Sequence, residues 1–348
     1  MNRTYLTTAA LVLALGAPQA IAETLRISQS GGSLQDITDR IFNIPFTEET
    51  GIEIENLATT DRMAGLKAQF AAGEVVWDVV ELSGADYAIG VKEGYFEPID
   101  WAVVDPDDVI PDEVQFEYAV PAVNFAHVYG YRIDKMPEGK TPSGWGDFFD
   151  TEAFPGPRSM RDGPYYNLEA ALIADGVDPT EVYDVLSTDE GIDRAFAKLD
   201  TIKDDVTVWW KSNGQAQQAL SDGEVWLSTN ANGRFKAVAD TGVPVAIAWE
   251  DGISLMGFTG IVKGTPVRDA AMKYVSYYIT GPERSAEFAS VISYPLFTRG
   301  AIELIPEETR PWLPTYPANA EQMWIYSDQF WADNLDALSE RWVEWKLF

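Results

Sequence analysis

Apolar and polar positions alternate over 24–29 (TLRISQ), the period of a half-buried strand. Ser30-Gly31-Gly32-Ser33 breaks that run. The period then lengthens: Leu34, Ile37, Ile41 and Phe42 fall on one side of a helix predicted over 34–50, with Ser33 as N-cap and Gly51 as its end. A second strand is predicted over 52–58. A second helix follows over 61–72, with Met63, Leu66 and Phe70 on one face. The run VVWDVVEL (75–82) reads as a third, more buried strand, and 83–93 as a third helix stopped by Gly94. This strand–helix alternation predicts a mostly parallel sheet flanked by helices.

The segment 120–134 (VPAVNFAHVYGYRID) differs from these units. It is extended, rich in Val, Tyr and Phe, and too long for an edge strand. Similar segments recur at 252–262 and, more briefly, at 292–297. Between the first two lie further α/β elements, with short helices over 145–149, 166–175, 189–199, 214–220 and 233–240, and strands over 158–160, 206–210, 224–229 and 243–248. Helices over 270–279 and 282–291 come next, then a tail (319–346) of one or two amphipathic helices bearing Trp324, Trp331, Trp342 and Trp345. An aromatic stripe of that spacing is expected to pack. The extended segments read as crossovers between two α/β lobes, or as central strands of one large sheet. In the two-lobe reading, lobe 1 is 23–122 plus 254–294, lobe 2 is 123–253 plus 295–348, and the hinges lie near 120–134 and 252–262. A ligand pocket is then expected in the cleft between them.

Composition narrows the function. Fifty-five acidic against 25 basic residues give a formal charge of −30, which argues against nucleic acid and anionic membranes as partners. Residues 1–22 carry Arg3, the apolar run LVLAL and Ala20-Ile21-Ala22, the pattern of a cleavable secretory signal with a mature start at Glu23. The sequence has no cysteine, hence no disulfide and no lipidated Cys after the signal. The expected compartment is the periplasm.

Catalytic and metal signatures are sparse. A single histidine, His127, excludes a His-cluster metal site, and no G-x-S-x-G, P-loop or G-x-G-x-x-G after a strand is present. No catalytic residue, metal or cofactor is assigned. A carboxylate pair of a secreted hydrolase remains the alternative from another class. Binding features are clearer. The Ser30–Ser33 turn joins a strand to a helix start, where free N–H groups suit an anionic or polar ligand group. Trp209 and Trp210 end a strand, and alternation puts one on each side, so at most one faces a crevice.

Several ordered motifs resemble a known family. They are the GGS turn, TEETGIEIE (47–55), WDVVELSGADYAIGVKEGYFEPID (77–100), the VP…VYGYRID crossover, and GWGDFFD (144–150). Further along come LSDGEVWLSTNANGRFKAVADTGVPV (220–245), ITGPERSAEFA (279–289), YPLF (294–297) and FWADNLDALSERWVEW (330–345). The chain resembles the periplasmic solute-binding proteins of ABC importers, in the spermidine/putrescine-binding type. That resemblance implies a two-lobed fold that closes on a small ligand and a membrane permease as partner, with the protein acting as a monomer. Polyamine-binding members use an aromatic and an acid in the return segment, where this chain has Leu255 and Gly257. Another acid of theirs falls near Tyr166, and their first-turn Trp and acid are replaced by Ser30–Ser33. The expected ligand is therefore a small amine, amino acid or carboxylate-bearing metabolite, with a true polyamine as the alternative. The candidate contacts are Ser30, Gly31, Gly32, Ser33, Ser83, Arg161, Tyr166, Trp209, Trp210, Asn230, Arg234 and Gly257, with Arg161 or Arg234 as the anion partner.

Overall fold

The computed structural model describes residues 23–29, 31, 33–59 and 61–347; the signal-peptide reading of 1–22 lies outside them. Among the described residues, nine strands form one sheet. They are β1 (Thr24–Ser28), β2 (Glu53–Asn56), β3 (Val79–Leu82), β4 (Val120–Arg132), β5 (Arg158–Arg161), β6 (Val206–Trp210), β7 (Leu227–Ala231), β8 (Val245–Ile261) and β9 (Trp324–Ile325). The order is β2-β1-β3-β8-β4-β7-β5-β6, with β9 beside β8. Two parallel flanks, β2-β1-β3 and β7-β5-β6, sit either side of a long antiparallel pair, β4 and β8.

The register shows how the long strands serve both flanks. β3 pairs with the end of β8, Leu82 against Phe258 and Val79 against Ile261. β7 pairs with the end of β4, His127 against Ala231 and Tyr131 against Leu227. The first flank thus takes the end of β8 and the second the end of β4. The hydrogen-bonded path is continuous, yet a cavity opens where β4 and β8 pass between the halves, lined there by Ala122, Val123, Phe125 and Leu255.

The segment expected to be extended over 120–134 is β4. The return segment is longer than expected, because 243–248 and 252–262 join into the 17-residue β8. Its pairing with β4 jumps from His127↔Ile253 to Tyr129↔Ala248, so 249–252 bulge out, with Asp251 at φ 58°. A bulge of this kind bends a strand and raises its twist. The segment 292–297 is not a strand: Ser293 turns at φ 58° to end the helix Pro282–Ile292. The predicted helix over 34–50 is helical throughout but passes through a π-helical turn, Asp39–Asn43. That turn aims Asn43 inward, where it donates to Gln29 Oε1 at 3.1 Å and accepts from the Tyr274 hydroxyl at 2.8 Å. The π turn thereby satisfies a buried polar network that alternating apolar residues do not announce.

Each half has its own apolar core. Leu25, Ile27, Phe42, Phe46, Val79, Tyr274 and Phe288 pack on the first flank. Tyr129, Trp145, Phe148, Met160, Leu168 and Trp331 pack on the second. β5 is anchored by Arg158, fully buried, whose guanidinium donates to the carbonyls of Phe148 (2.8 Å), Gly156 (2.6 Å) and Phe154 (2.6 Å). A carbonyl partner for each of its three nitrogens is what makes a buried guanidinium tolerable. The anchored strand delivers Arg161 at its carboxyl end.

The tail departs from expectation. Trp324 lies in β9, while Trp331, Trp342 and Trp345 ride on one helix, Asp328–Leu347. That helix buries Phe330, Trp331, Leu338 and Trp342 in the second core, and it also packs against the helix Gly84–Glu93 of the first half. An exposed ion pair between Lys92 and Asp333, at 3.9 Å, marks the same contact. The C-terminal helix therefore spans the two halves.

Candidate ligand-binding cleft

A cavity of about 560 Å³ lies between the halves, within the range of small-molecule sites. The first half contributes Arg62, Glu81 and the start of the helix Gly84–Glu93. Ser83 caps that helix by accepting the Asp86 N–H at 3.1 Å. The second half contributes Arg161, Tyr165, Tyr166, Arg234 and Tyr294, and the C-terminal helix adds Asp328, Trp331 and Leu335. The cavity is mostly apolar, with a few charged groups converging on it.

Two guanidiniums stand out. Arg161 lies 4.4 Å from the ring of Tyr165, 5.8 Å from Tyr166 and 5.9 Å from Trp210, so aromatic faces surround it. Arg234, from the helix Asn232–Ala239, hydrogen-bonds the hydroxyl of Tyr294, and its Nε is buried without a partner. Neither makes an ion pair with a carboxylate among the described residues. In a chain with 55 acidic residues, two cleft arginines without carboxylate partners leave guanidinium donors open to an anionic group. The other cleft arginine, Arg62, is paired with Glu81 at 3.3 Å.

The loop from Arg161 to Tyr166 is held by Asn167. Its side-chain amide is buried and donates to the carbonyls of Arg161 (2.7 Å) and Gly163 (2.8 Å). Tyr166 sits in a left-handed conformation, φ 70°, unusual for a residue with a Cβ. Its ring stacks on His127 at 4.2 Å and meets Tyr326 at 5.3 Å. Burial, then the nearby Arg161 charge, pushes His127 down to about 3, so the imidazole is neutral and acts as a flat support for Tyr166. Below this floor lies Glu169, which accepts from the Trp331 indole at 2.6 Å and from the Tyr183 hydroxyl at 3.2 Å. Burial pushes Glu169 up to about 7, against the pull of those donors.

Of the residues singled out from sequence, Ser83, Arg161, Tyr166, Arg234 and Gly257 line the cavity. Gly257 earns its place by space: a Cβ there would meet Val123 at 2.9 Å. Ser30 and Gly32 lie outside the described residues, as does the side chain of Ser33, so the expected cap by Ser33 falls there too. Gly31 is exposed, and the first lining residue after it is Leu34. Asn230 is not at the surface. It is fully buried and ties β7 to the preceding helix, Asn213–Asp222, by donating to the Asn213 carbonyl at 3.0 Å.

The expectation that Trp209 or Trp210 lines the cleft is corrected. Trp210 is 2% exposed, inside the core, with its indole donating to Thr229 Oγ1 at 3.3 Å. Trp209 faces the other way and packs on Trp342 and Trp345 at 5.5 and 5.7 Å, with Lys346 over its ring. The C-terminal helix covers the side of the strand expected to be open. Sequence reasoning missed Tyr165, Tyr294, Tyr326, Asp328 and Trp331. One signal was there: Asp328, Trp331 and Leu335 recur at three and four residues, one face of a helix.

A family model described as bacterial extracellular solute-binding protein matches residues 44–320. The chain belongs to this solute-binding family. A γ-aminobutyric acid-binding protein of Pseudomonas aeruginosa is 34% identical over 330 residues, 94% of this chain and 92% of that one. Among solved structures, an ABC transporter substrate-binding protein from Bradyrhizobium japonicum USDA 110 superposes with a TM-score of 0.82 at 32% identity, covering 93% of this chain and 99% of that one. A GABA receptor also superposes at 0.82, with 31% identity over 93% and 98% of the two chains. This solute-binding protein is thus the substrate-binding component of an ABC transporter, taking a small ligand for delivery to a membrane permease. The spermidine/putrescine type read from sequence is not supported at that level, since the two of these relatives whose names give a ligand name GABA. Among the described residues, no helix is long and apolar enough to cross a membrane, and no cluster of His, Cys, Asp or Glu is arranged to hold a metal ion.

Proposed function

We propose that this solute-binding protein captures a small zwitterion, an amino acid whose amine and carboxylate are separated by a short methylene chain, with 4-aminobutanoate as the lead ligand. One observation carries the reading: Arg161 and Arg234 face the cleft without carboxylate partners, while most of the remaining lining is aromatic and aliphatic. A carboxylate between two guanidiniums gains charge-assisted hydrogen bonds, and methylenes gain apolar burial at ~25 cal/mol per Å². The GABA-binding relatives support the same class. A polyamine is disfavoured because two uncompensated guanidiniums repel an ammonium.

In this proposal residues 23–122 plus 254–294 move as one lobe and 123–253 plus 295–348 as the other. The ligand bridges them and stabilises the closed state by its differential affinity. The lining set spans both lobes, as such a mechanism requires. Residues 1–22 direct export to the periplasm, where the protein starts at Glu23 and acts as a monomer. The reading is tested by a thermal-shift screen on the wild-type protein. We expect 4-aminobutanoate to raise the melting temperature in a concentration-dependent way and putrescine and spermidine to leave it unchanged. A shift with the polyamines alone refutes it.

A further inference from the structure

The arginines account for the carboxylate of a zwitterion and leave its ammonium without a receptor. We propose that Asp328, the first residue of the C-terminal helix, is the ammonium-binding group of the cleft. The inference rests on the zwitterion reading and names its second pole.

Three carboxylates compete for the role, and their surroundings separate them. Glu81 already pairs with Arg62. Asp86 stands in the first turn of the helix Gly84–Glu93, where the helix dipole favours a negative charge. Asp328 also stands in the first turn of its own helix, but it pairs with no cation, and its carboxylate is packed against Gly84 of the opposing helix across the seam. It lines the cavity, and among the described residues no hydrogen-bond donor or cationic side chain reaches its carboxylate. Burial alone pushes it up to about 7. Contrast Glu169, equally raised but holding two donors. A desolvated carboxylate that opens into a ligand cavity without a partner is suited to a cation brought by the ligand.

Its position is built rather than incidental. The carboxylate rests on the Cα of Gly84, the first residue of the opposing helix; a Cβ on Gly84 would fall 1.9 Å from Asp328 Oδ2. Gly84 adopts no left-handed conformation, so the absence of a side chain there serves space and not backbone freedom. Tyr166 and Tyr326 lie within range of its charge, and their rings provide faces for an ammonium and its adjoining methylene. Asp328 comes from the helix that spans both halves and touches the first half at Gly84, so an ammonium held there sits at the seam.

The test compares two ligands that differ in one group, 4-aminobutanoate and 4-hydroxybutanoate, by calorimetric titration of the full protein. In Asp328→Asn, affinity for 4-aminobutanoate should fall about ten- to a hundredfold, while 4-hydroxybutanoate changes by less than about twofold. Gly84→Ala keeps the carboxylate but displaces it, and should shift the same preference in the same direction by a smaller factor. The melting temperature of ligand-free Asp328→Asn should equal or exceed that of wild type, because a carboxylate whose charged form burial disfavours has been removed. A merely structural Asp328 would lower it. Equal weakening of both ligands, or of neither, overturns the assignment. An Arg161→Ala arm keeps the two ideas apart: if it weakens both ligands while Asp328→Asn leaves their ratio intact, the zwitterion reading stands and the Asp328 assignment fails. If the wild-type protein binds neither compound, the zwitterion reading itself is overturned.

Discussion

Two tryptophan-rich segments of this protein exchange the roles their sequences advertise. Trp209 and Trp210 end β6, where an open sheet normally presents its ligand-binding crevice, yet both are consumed in packing. The C-terminal segment looks like an amphipathic packing helix, yet its first turns bring Asp328, Trp331 and Leu335 to the cleft. The difference lies in what covers each. Trp342 and Trp345 of the C-terminal helix cap Trp209, so the far part of that helix covers the end of β6 while its near part lines the cavity. Aromatic content alone does not mark a site. Its neighbours in space decide, and here they come from more than a hundred residues away.

That contrast can be broken most forcefully at Trp331. The ring is 1% exposed, stacks with Tyr326 and donates to Glu169. Trp331→Ala should cost about 3–5 kcal/mol of stability, read by chemical denaturation, and leave Glu169 short of a donor. A loss below about 1 kcal/mol would show that the C-terminal helix is not integral to the second core. Trp209→Ala is the control at the other segment. It should lower stability by about 1–2 kcal/mol and change ligand affinity by less than about twofold in a titration. A large affinity loss there would restore Trp209 to the site.

A third prediction separates the buried carboxylates from the aromatics around them. Glu169 and Asp328 are both pushed up to about 7 by burial. For an acid raised in the folded state, the folded protein holds the proton more firmly than the unfolded chain between the ordinary carboxylate range and about 7. Ligand-free stability should therefore fall as pH rises through that window. Affinity for an ammonium-bearing ligand should rise over the same window, because Asp328 becomes charged, with Tyr166 and Tyr326 as its titratable neighbours. Denaturation and titration across the window check the two opposite slopes. Asp328→Asn should remove the second and leave the Glu169 part of the first.

Much of the frame was legible in the sequence. Period-two and helical runs placed most strands and helices, and the unusual length of 120–134 announced β4. The resemblance placed Arg161 and Arg234, which the structure brings to one cavity. What was not legible has a common cause. The fusion of 243–248 with 252–262 depends on partner strand β4 and on a bulge at Asp251. The π turn at Asp39–Asn43 depends on Gln29 and Tyr274, and the fate of Trp209 depends on the C-terminal helix. Each is decided by contacts distant in sequence, which local pattern does not carry. The Ser30–Ser33 turn drew more weight than it can return here, since Ser30 and Gly32 fall outside the described residues and Gly31 is exposed.

The central claim is that the two unpaired cleft arginines define the ligand as a carboxylate-bearing amine. Calorimetric titration of 4-aminobutanoate into wild type, Arg161→Ala and Arg234→Ala tests it most directly. Each substitution should weaken binding by about 1.5–3 kcal/mol, roughly ten- to a hundredfold. Unchanged affinity in both variants, or tight putrescine binding that neither variant disturbs, would contradict it.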